Sequence, residues 1–214
     1  MDYFHYNEDQ LLAEDVPITS ITEKFGTPCF IYSKAALENN YLAYRQAFEG
    51  HPHLICFAVK ANSNLAVLNV LANLGAGFDI VSGGELSRVL AAGGNPNKVI
   101  FSGLGKTTAE ICEGLDADIH CFNVESEAEL ERINEVALSK HKIAPVSIRV
   151  NPDVDAETHP YISTGLKENK FGVSAEPAFE LYKRAMIMRG IRVTGIDFHV
   201  GSQLTNVGPF LNAL

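Results

Sequence analysis

The sequence predicts an α/β fold in which parallel strands alternate with helices, a (β/α)8 barrel of the TIM type that stops after about six strands. Three observations carry this expectation. From Leu54 onward, short apolar and β-branched runs recur about every 20–25 residues. Amphipathic stretches with helix-start signals lie between them. The turn after the first strand, ANSNLA, has none of the G-x-G-x-x-G that a doubly wound dinucleotide-binding sheet would place there, which favours the barrel over the open sheet.

The first 35 residues stand outside the rhythm. TPCFIYS (27–33) follows the turn residues Gly26 and Pro28 and reads as a strand, so the chain divides into an N-terminal segment, 1–35, and a partial barrel, 36–214. Barrel strands are expected at LICFAVKA (54–61), GFDIVS (77–82), KVIFSG (98–103), DIHCFNV (118–124), VSIRVN (146–151) and VTGIDFHV (193–200). Most are apolar nearly throughout, as strands covered on both faces are. Ser82 with Glu85, Thr107 with Glu110 and Ser126 with Glu129 have capping-box spacing at helix starts. The helix GGELSRVLAAGG closes on Gly93 and Gly94. In 127–138, Leu130, Ile133 and Ala137 line one face, and the glutamates and Arg132 take the other. The last residues, GPFLNAL, open a further helix, and a closed barrel needs eight strands. The chain therefore reads as a piece of a longer protein, with two unpaired sheet edges.

A chain of 214 residues with 46% apolar and 20% charged content has the make-up of one globular domain. Its net charge of −9 argues against a nucleic-acid partner. No apolar run reaches the ~18 residues of a spanning helix, and the acidic start MDYFHYNEDQ is unlike a signal peptide, so no membrane association is expected. Cys29, Cys56, Cys112 and Cys121 form no C-x-x-C pair and read as free thiols of a reducing cytoplasm. His51 and His53 have no carboxylate or cysteine nearby, so no metal site is expected.

Barrel enzymes carry their reacting groups at the carboxyl ends of the strands. Those ends hold Lys60, Asp79 with Ser82, Ser102, Asn123, Arg149 with Asn151, and His199 with Ser202. Lys60 ends an apolar run, and a strand-end lysine ordinarily swings its head to water. If it instead faces the pocket, desolvation disfavours the ammonium, and a neutral amine becomes available to attack an aldehyde. Asp79 and Glu85 could balance whichever charge remains. His199 could be a core histidine, but Gly201 and Ser202 behind it allow close backbone approach and supply a hydroxyl, a combination suited to an anion. The G-K-T of SGLGKTTAE (102–110) is not a nucleotide loop, because the glycine needed five residues before Gly105 is Ile100.

Taken together and in this order, FAVKANSNLAVL, GFDIVSGGEL, HPYISTGLKENKFGV and FHVGSQ resemble the fold-type III pyridoxal-phosphate decarboxylases, from about Thr27 to the end of the chain. The resemblance implies that Lys60 forms a Schiff base with pyridoxal 5'-phosphate, that His199 stacks on its ring, and that Gly201 and Ser202 lie near its phosphate. It places Asp79 and Glu85 near the lysine and Arg149 beside the ring, and it brings HPYISTGLKENKFG back toward the site as a long loop. The implied substrate is a small basic amino acid. The serine–glutamine of HVGSQ and the HPYISTG stretch lean toward the diaminopimelate branch, which releases CO2 to leave L-lysine, over the ornithine, arginine and carboxynorspermidine branches. It further implies a homodimer, and a C-terminal β-domain that the strand at TPCFIYS would join. The phosphate loop, the pyridine-nitrogen partner and the residues that complete the partner subunit's site would lie outside this chain, so 1–214 alone is expected to be inactive. A non-catalytic cofactor-binding barrel is the competing reading.

Overall fold

The computed structural model describes residues 2–152, 171–201 and 204–214. The chain opens with β1 (Phe4–Asn7), β2 (Gln10–Ala13) and β3 (Val16–Pro17), a three-stranded antiparallel sheet, followed by α1 (Ile18–Phe25). Strands this short carry too little alternation to be read from sequence. The strand expected at TPCFIYS is absent, and residues 27–33 run without regular structure. An isolated extended segment has no ladder to make it a strand, and Phe30 stands 91% exposed.

Ser33 caps the next helix, α2 (Lys34–Ala47), by accepting the Ala36 N–H at 3.0 Å. The Glu14 carboxylate ties the first sheet to that helix start, accepting from the Ser33 hydroxyl at 2.6 Å and the Ala35 N–H at 2.8 Å.

The βα rhythm then runs as β4 (Cys56–Ala58), α3 (Leu65–Asn73), β5 (Gly77–Ile80), α4 (Gly83–Ala91), β6 (Val99–Phe101), α5 (Thr108–Asp116), β7 (Cys121–Val124) and α6 (Glu127–Ser139). It continues with β8 (Ala144–Asn151), the short β9 (Val173–Ser174), α7 (Ala175–Ile187), β10 (Ile191–Asp197) and α8 (Gly208–Ala213). Six strands form one parallel sheet in the order β10-β8-β7-β6-β5-β4, and β9 pairs with the end of β8. The six strands are those the sequence marks out. Their order never reverses, and this progression separates the staves of a barrel from a doubly wound sheet, whose strand order switches direction. In this chain β4 and β10 are the sheet edges.

One expectation about the strands needs correction: they are not apolar on both faces. Phe78, Ile80, Phe101, Phe122, Val124, Val146 and Ile148 are all fully buried and form the core with Leu68, Val89, Ile111, Leu130 and Ile133 from the helices. Asp79, Asn123, Ser147 and Arg149 alternate with them and so project from the opposite face, where the barrel interior lies. Burying each of those phenylalanines contributes about 1.5–3 kcal/mol, which fixes which face turns toward the helices.

Of the three predicted capping boxes, only Thr107–Glu110 closes in both directions. Ser82 and Ser126 cap their helices, but the carboxylates of Glu85 and Glu129 turn elsewhere, to the N–H groups of Val81 and Glu125. Glu129 is only 6% exposed, against its predicted place on the outer face of α6. The stop after α4 is as read: Gly93 takes φ +82, and Gly94 N–H returns to the Val89 carbonyl at 2.9 Å.

Candidate active site

The carboxyl ends of the parallel strands open into a cavity of about 500 Å³, lined by Lys60, Asp79, Ser102, Asn123, Glu125, Arg149, Phe171, Asp197 and His199 among others. These side chains arrive from the ends of neighbouring strands, two of them from β7 and two from β10, so the backbone of the sheet sets their spacing. Asp79 comes from β5, Asn123 from β7, Arg149 from β8 and Asp197 from β10. Lys60 lies in the single 3-10 turn Val59–Ala61 that follows β4.

A hydrogen-bonded chain crosses the floor. Ser147 donates to Asn123 Oδ1 at 2.5 Å, Asn123 Nδ2 donates to the Ser102 hydroxyl at 3.1 Å, and Ser102 donates to Asp79 Oδ1 at 2.5 Å. Asn123 and Ser147 are buried, so this chain satisfies groups that would otherwise be stranded away from water. Burial pushes the Asp79 carboxyl above its ordinary range, opposed by the Ser102 hydroxyl and by the cations Lys60 and Arg149. Burial also pushes Asp197 up to about 6, with Arg149 opposing and the carboxylates of Asp79 and Glu125 reinforcing. His199 is held below the usual imidazole range by burial, then by Arg149 and Lys60, which keeps the ring neutral at neutral pH.

The opposite wall is built on Glu125. Its side chain is 1% exposed and accepts from Arg149 Nη1 at 2.9 Å and from the Gly172 N–H at 3.0 Å. The Arg149 guanidinium lies 5.4 Å from the centre of the Phe171 ring. Gly172 has φ +75, and a Cβ there would lie 2.9 Å from the Arg149 carbonyl oxygen, so only glycine lets the chain return this closely to β8.

The arrangement combines a primary amine, a neutral imidazole, an aromatic ring, an arginine and two carboxyls of raised pKa in one concave site. That donor set suits a planar aldehyde cofactor better than a metal, whose ligand cluster is not found among the described residues. Residues 34–214 match the family model described as pyridoxal-dependent decarboxylase, pyridoxal binding domain.

The chain belongs to that family.

Within it, the chain is 60% identical over all 214 residues to a diaminopimelate decarboxylase of Pseudomonas aeruginosa, of which it covers 52%. Among solved structures, a diaminopimelate decarboxylase from M. jannaschii in complex with L-lysine matches 99% of this chain and 50% of its own at 40% identity and a TM-score of 0.91. The Helicobacter pylori diaminopimelate decarboxylase complexed with L-lysine matches 92% of this chain and 50% of its own at 44% identity and a TM-score of 0.89. The chain spans about half the length of the curated relatives it matches.

In this pyridoxal-binding domain, Lys60, Asp79, Arg149 and His199 converge on the one cavity. Lys60 lines the cavity but is exposed, against the dry setting expected of it, because β4 is a sheet edge here and leaves that side of the cavity open. Glu85 is not among the lining residues; its carboxylate accepts the Val81 N–H at 2.7 Å and so holds the strand-to-helix turn beside Asp79. Gly201 is also away from the lining, and Ser202 lies outside the described residues, as does HPYISTGLKENK (159–170). The end of that stretch, Phe171, does reach the cavity. Sequence reading missed Glu125 and Asp197 as site residues. Strand alternation could have found both, Asp197 two positions before His199 and Glu125 two positions after Asn123. No helix among the described residues is long and apolar enough to cross a membrane.

Proposed function

We propose that this chain is the cofactor-binding half of a diaminopimelate decarboxylase, whose whole protein releases CO2 from meso-diaminopimelate to leave L-lysine. The convergence of Lys60, Asp79, Arg149 and His199 on one cavity carries the reading. The relatives' names and their lysine complexes support the substrate. When bound, pyridoxal phosphate supplies an aldehyde that bonds to amines and a conjugated ring that takes up the electron pair left by a departing carboxylate.

The chain's own residues hold and orient. Lys60 provides the attaching amine. Asp79, braced by Ser102, keeps an acidic group within electrostatic reach of it. A neutral His199 offers a flat, uncharged face for a planar ring, since a cationic imidazole beside Arg149 and Lys60 would be repelled. Arg149, fixed by Glu125, would place positive charge beside the ring, and Phe171 and Phe198 give the cavity an apolar part of its wall. Gly201 and Ser202 serve the phosphate end, and Glu85 supports Asp79 from the turn behind it. Residues 1–35 join a further β-domain of the whole protein, in keeping with the exposed side chains of Phe30 and Tyr32. The working form is a cytoplasmic homodimer.

The test is made on the full-length protein. Carbon dioxide release from meso-diaminopimelate, and a visible absorbance on adding pyridoxal phosphate that Lys60→Ala abolishes, are the expected results. Retention of that absorbance by the Lys60→Ala variant, or turnover of ornithine with none of diaminopimelate, would overturn the assignment.

A further inference from the structure

The lysine of SGLGKTTAE turns into the protein and is one of the most buried charges described. Lys106 is 2% exposed. An ammonium has three N–H donors, and each finds an acceptor here: the Gly103 carbonyl at 2.7 Å, the Asn123 carbonyl at 2.8 Å and Glu129 Oε1 at 2.6 Å. Glu129 spends its other oxygen on the Glu125 N–H at 2.8 Å. The Phe101 ring lies 5.5 Å from the ammonium and closes that side of the pair.

These contacts have a common target. Besides each other, Lys106 and Glu129 grip the main chain at 103, 123 and 125, where β6 and β7 end and their loops begin. Ser102, Gly103, Asn123 and Glu125 all line the cavity, while Lys106 and Glu129 do not. Stability alone is a poor account of such a pair, since burying two charges costs about as much as their attraction returns. What the pair supplies is direction: it joins two strand ends that have no ladder beyond the last paired residues, Phe101 and Phe122.

We propose that Lys106 and Glu129 are positioning residues of the cofactor site, fixing the backbone from which Ser102, Asn123 and Glu125 reach into the cavity. Through Ser102 the pair sets the Asp79 carboxylate, and through Glu125 it sets Arg149 and the return of the chain at Gly172. Both arms of the site therefore hang from one buried ion pair. Misplacing a positioned group by about 1 Å is enough to lower a rate about 100-fold, so a small relaxation of these two loops has a large effect.

The inference rests on reading the cavity as a pyridoxal-phosphate site, and its test separates the two. In the full-length protein, the double variant Lys106→Met with Glu129→Leu replaces the pair by apolar side chains of similar volume. The expected result is a folded protein, less stable than the parent because the main-chain groups at 103, 123 and 125 lose their partners, with a Kd for pyridoxal phosphate raised about tenfold or more in an absorbance titration. A folded double variant that binds within twofold of the parent overturns the proposal. Should the double variant not fold, Glu129→Gln decides. Its amide cannot accept from both Lys106 and Glu125, so a folded protein with weakened cofactor binding supports positioning, and one with parental binding refutes it. If neither variant folds, the pair serves the fold and the proposal fails. A parent that binds no pyridoxal phosphate at all overturns the cavity reading and this inference with it.

Discussion

Replacing Asp197 by asparagine should stabilise the protein at neutral pH and leave it unchanged in acid. Asp197 ends β10 opposite Arg149 in the ladder, at the rim of the cavity. Burial, with help from Asp79 and Glu125, lifts its carboxyl from 3.8 to about 6 despite the nearby arginine. At about 1.4 kcal/mol per pH unit, holding this group as a carboxylate at neutral pH weakens the fold by about 3 kcal/mol. The sign follows from which state holds the proton. Below about pH 4 both the folded and unfolded chains keep it, and nothing is lost. Between about pH 4 and pH 6 only the unfolded chain releases it, so stability falls as pH rises, and the full penalty stands above about pH 6. Asparagine has no proton to release. Urea unfolding of parent and variant side by side should show no difference near pH 4 and a gain growing to about 3 kcal/mol by pH 7. A difference that stays flat across that range, or a variant less stable at neutral pH, would show that Arg149 compensates the charge and would refute the reasoning.

Ser102→Ala removes the 2.5 Å donor to Asp79 and strands the Asn123 amide, so about 1.5–3 kcal/mol of stability should be lost at neutral pH, and the Asp79 carboxyl should move up further. Denaturant unfolding and an NMR titration of the Asp79 carboxyl check the two parts. Gly114→Ala, favourable for an isolated helix, should instead destabilise by about 1–3 kcal/mol, read by thermal unfolding. A Cβ at that position in α5 would lie 2.7 Å from Cζ of the fully buried Phe122. Cys29 is exposed and should react at once with a thiol reagent at neutral pH. Cys56 is only half-buried, but burial and Asp79 push its thiol up to about 12, so it should react far more slowly, and the buried Cys121 should stay unlabelled until the protein unfolds. Rapid labelling of Cys56 in the folded protein would contradict the upward push on its thiol.

Much of the barrel was legible in the sequence because local chemistry repeats there. Apolar runs such as those around Phe78, Phe122 and Ile148 mark strands wherever they occur, and Ser82, Thr107 and Ser126 mark helix starts by satisfying N–H groups within three residues. Of the strand-end residues picked out from the sequence, Lys60, Asp79, Ser102, Asn123, Arg149 and His199 share the cavity, and they were legible because strand ends on one side of a barrel must converge. What the sequence by itself determined was therefore the order and type of the barrel elements and the polar character of their carboxyl ends.

Only the tertiary structure decided which polar groups meet. Glu129 and Glu85 have the spacing of capping-box partners, yet one pairs with a lysine 23 positions away and the other serves the turn before its own helix. Glu125 joins Arg149 to Gly172 across two strand ends. Residues 27–33 carry the composition of a strand but have no neighbour among the described residues to pair with. Periodicity records how a residue relates to those a few positions away. Hydrogen bonds and ion pairs over a few ångströms are settled between segments that the sequence keeps far apart, once the sheet has brought them side by side.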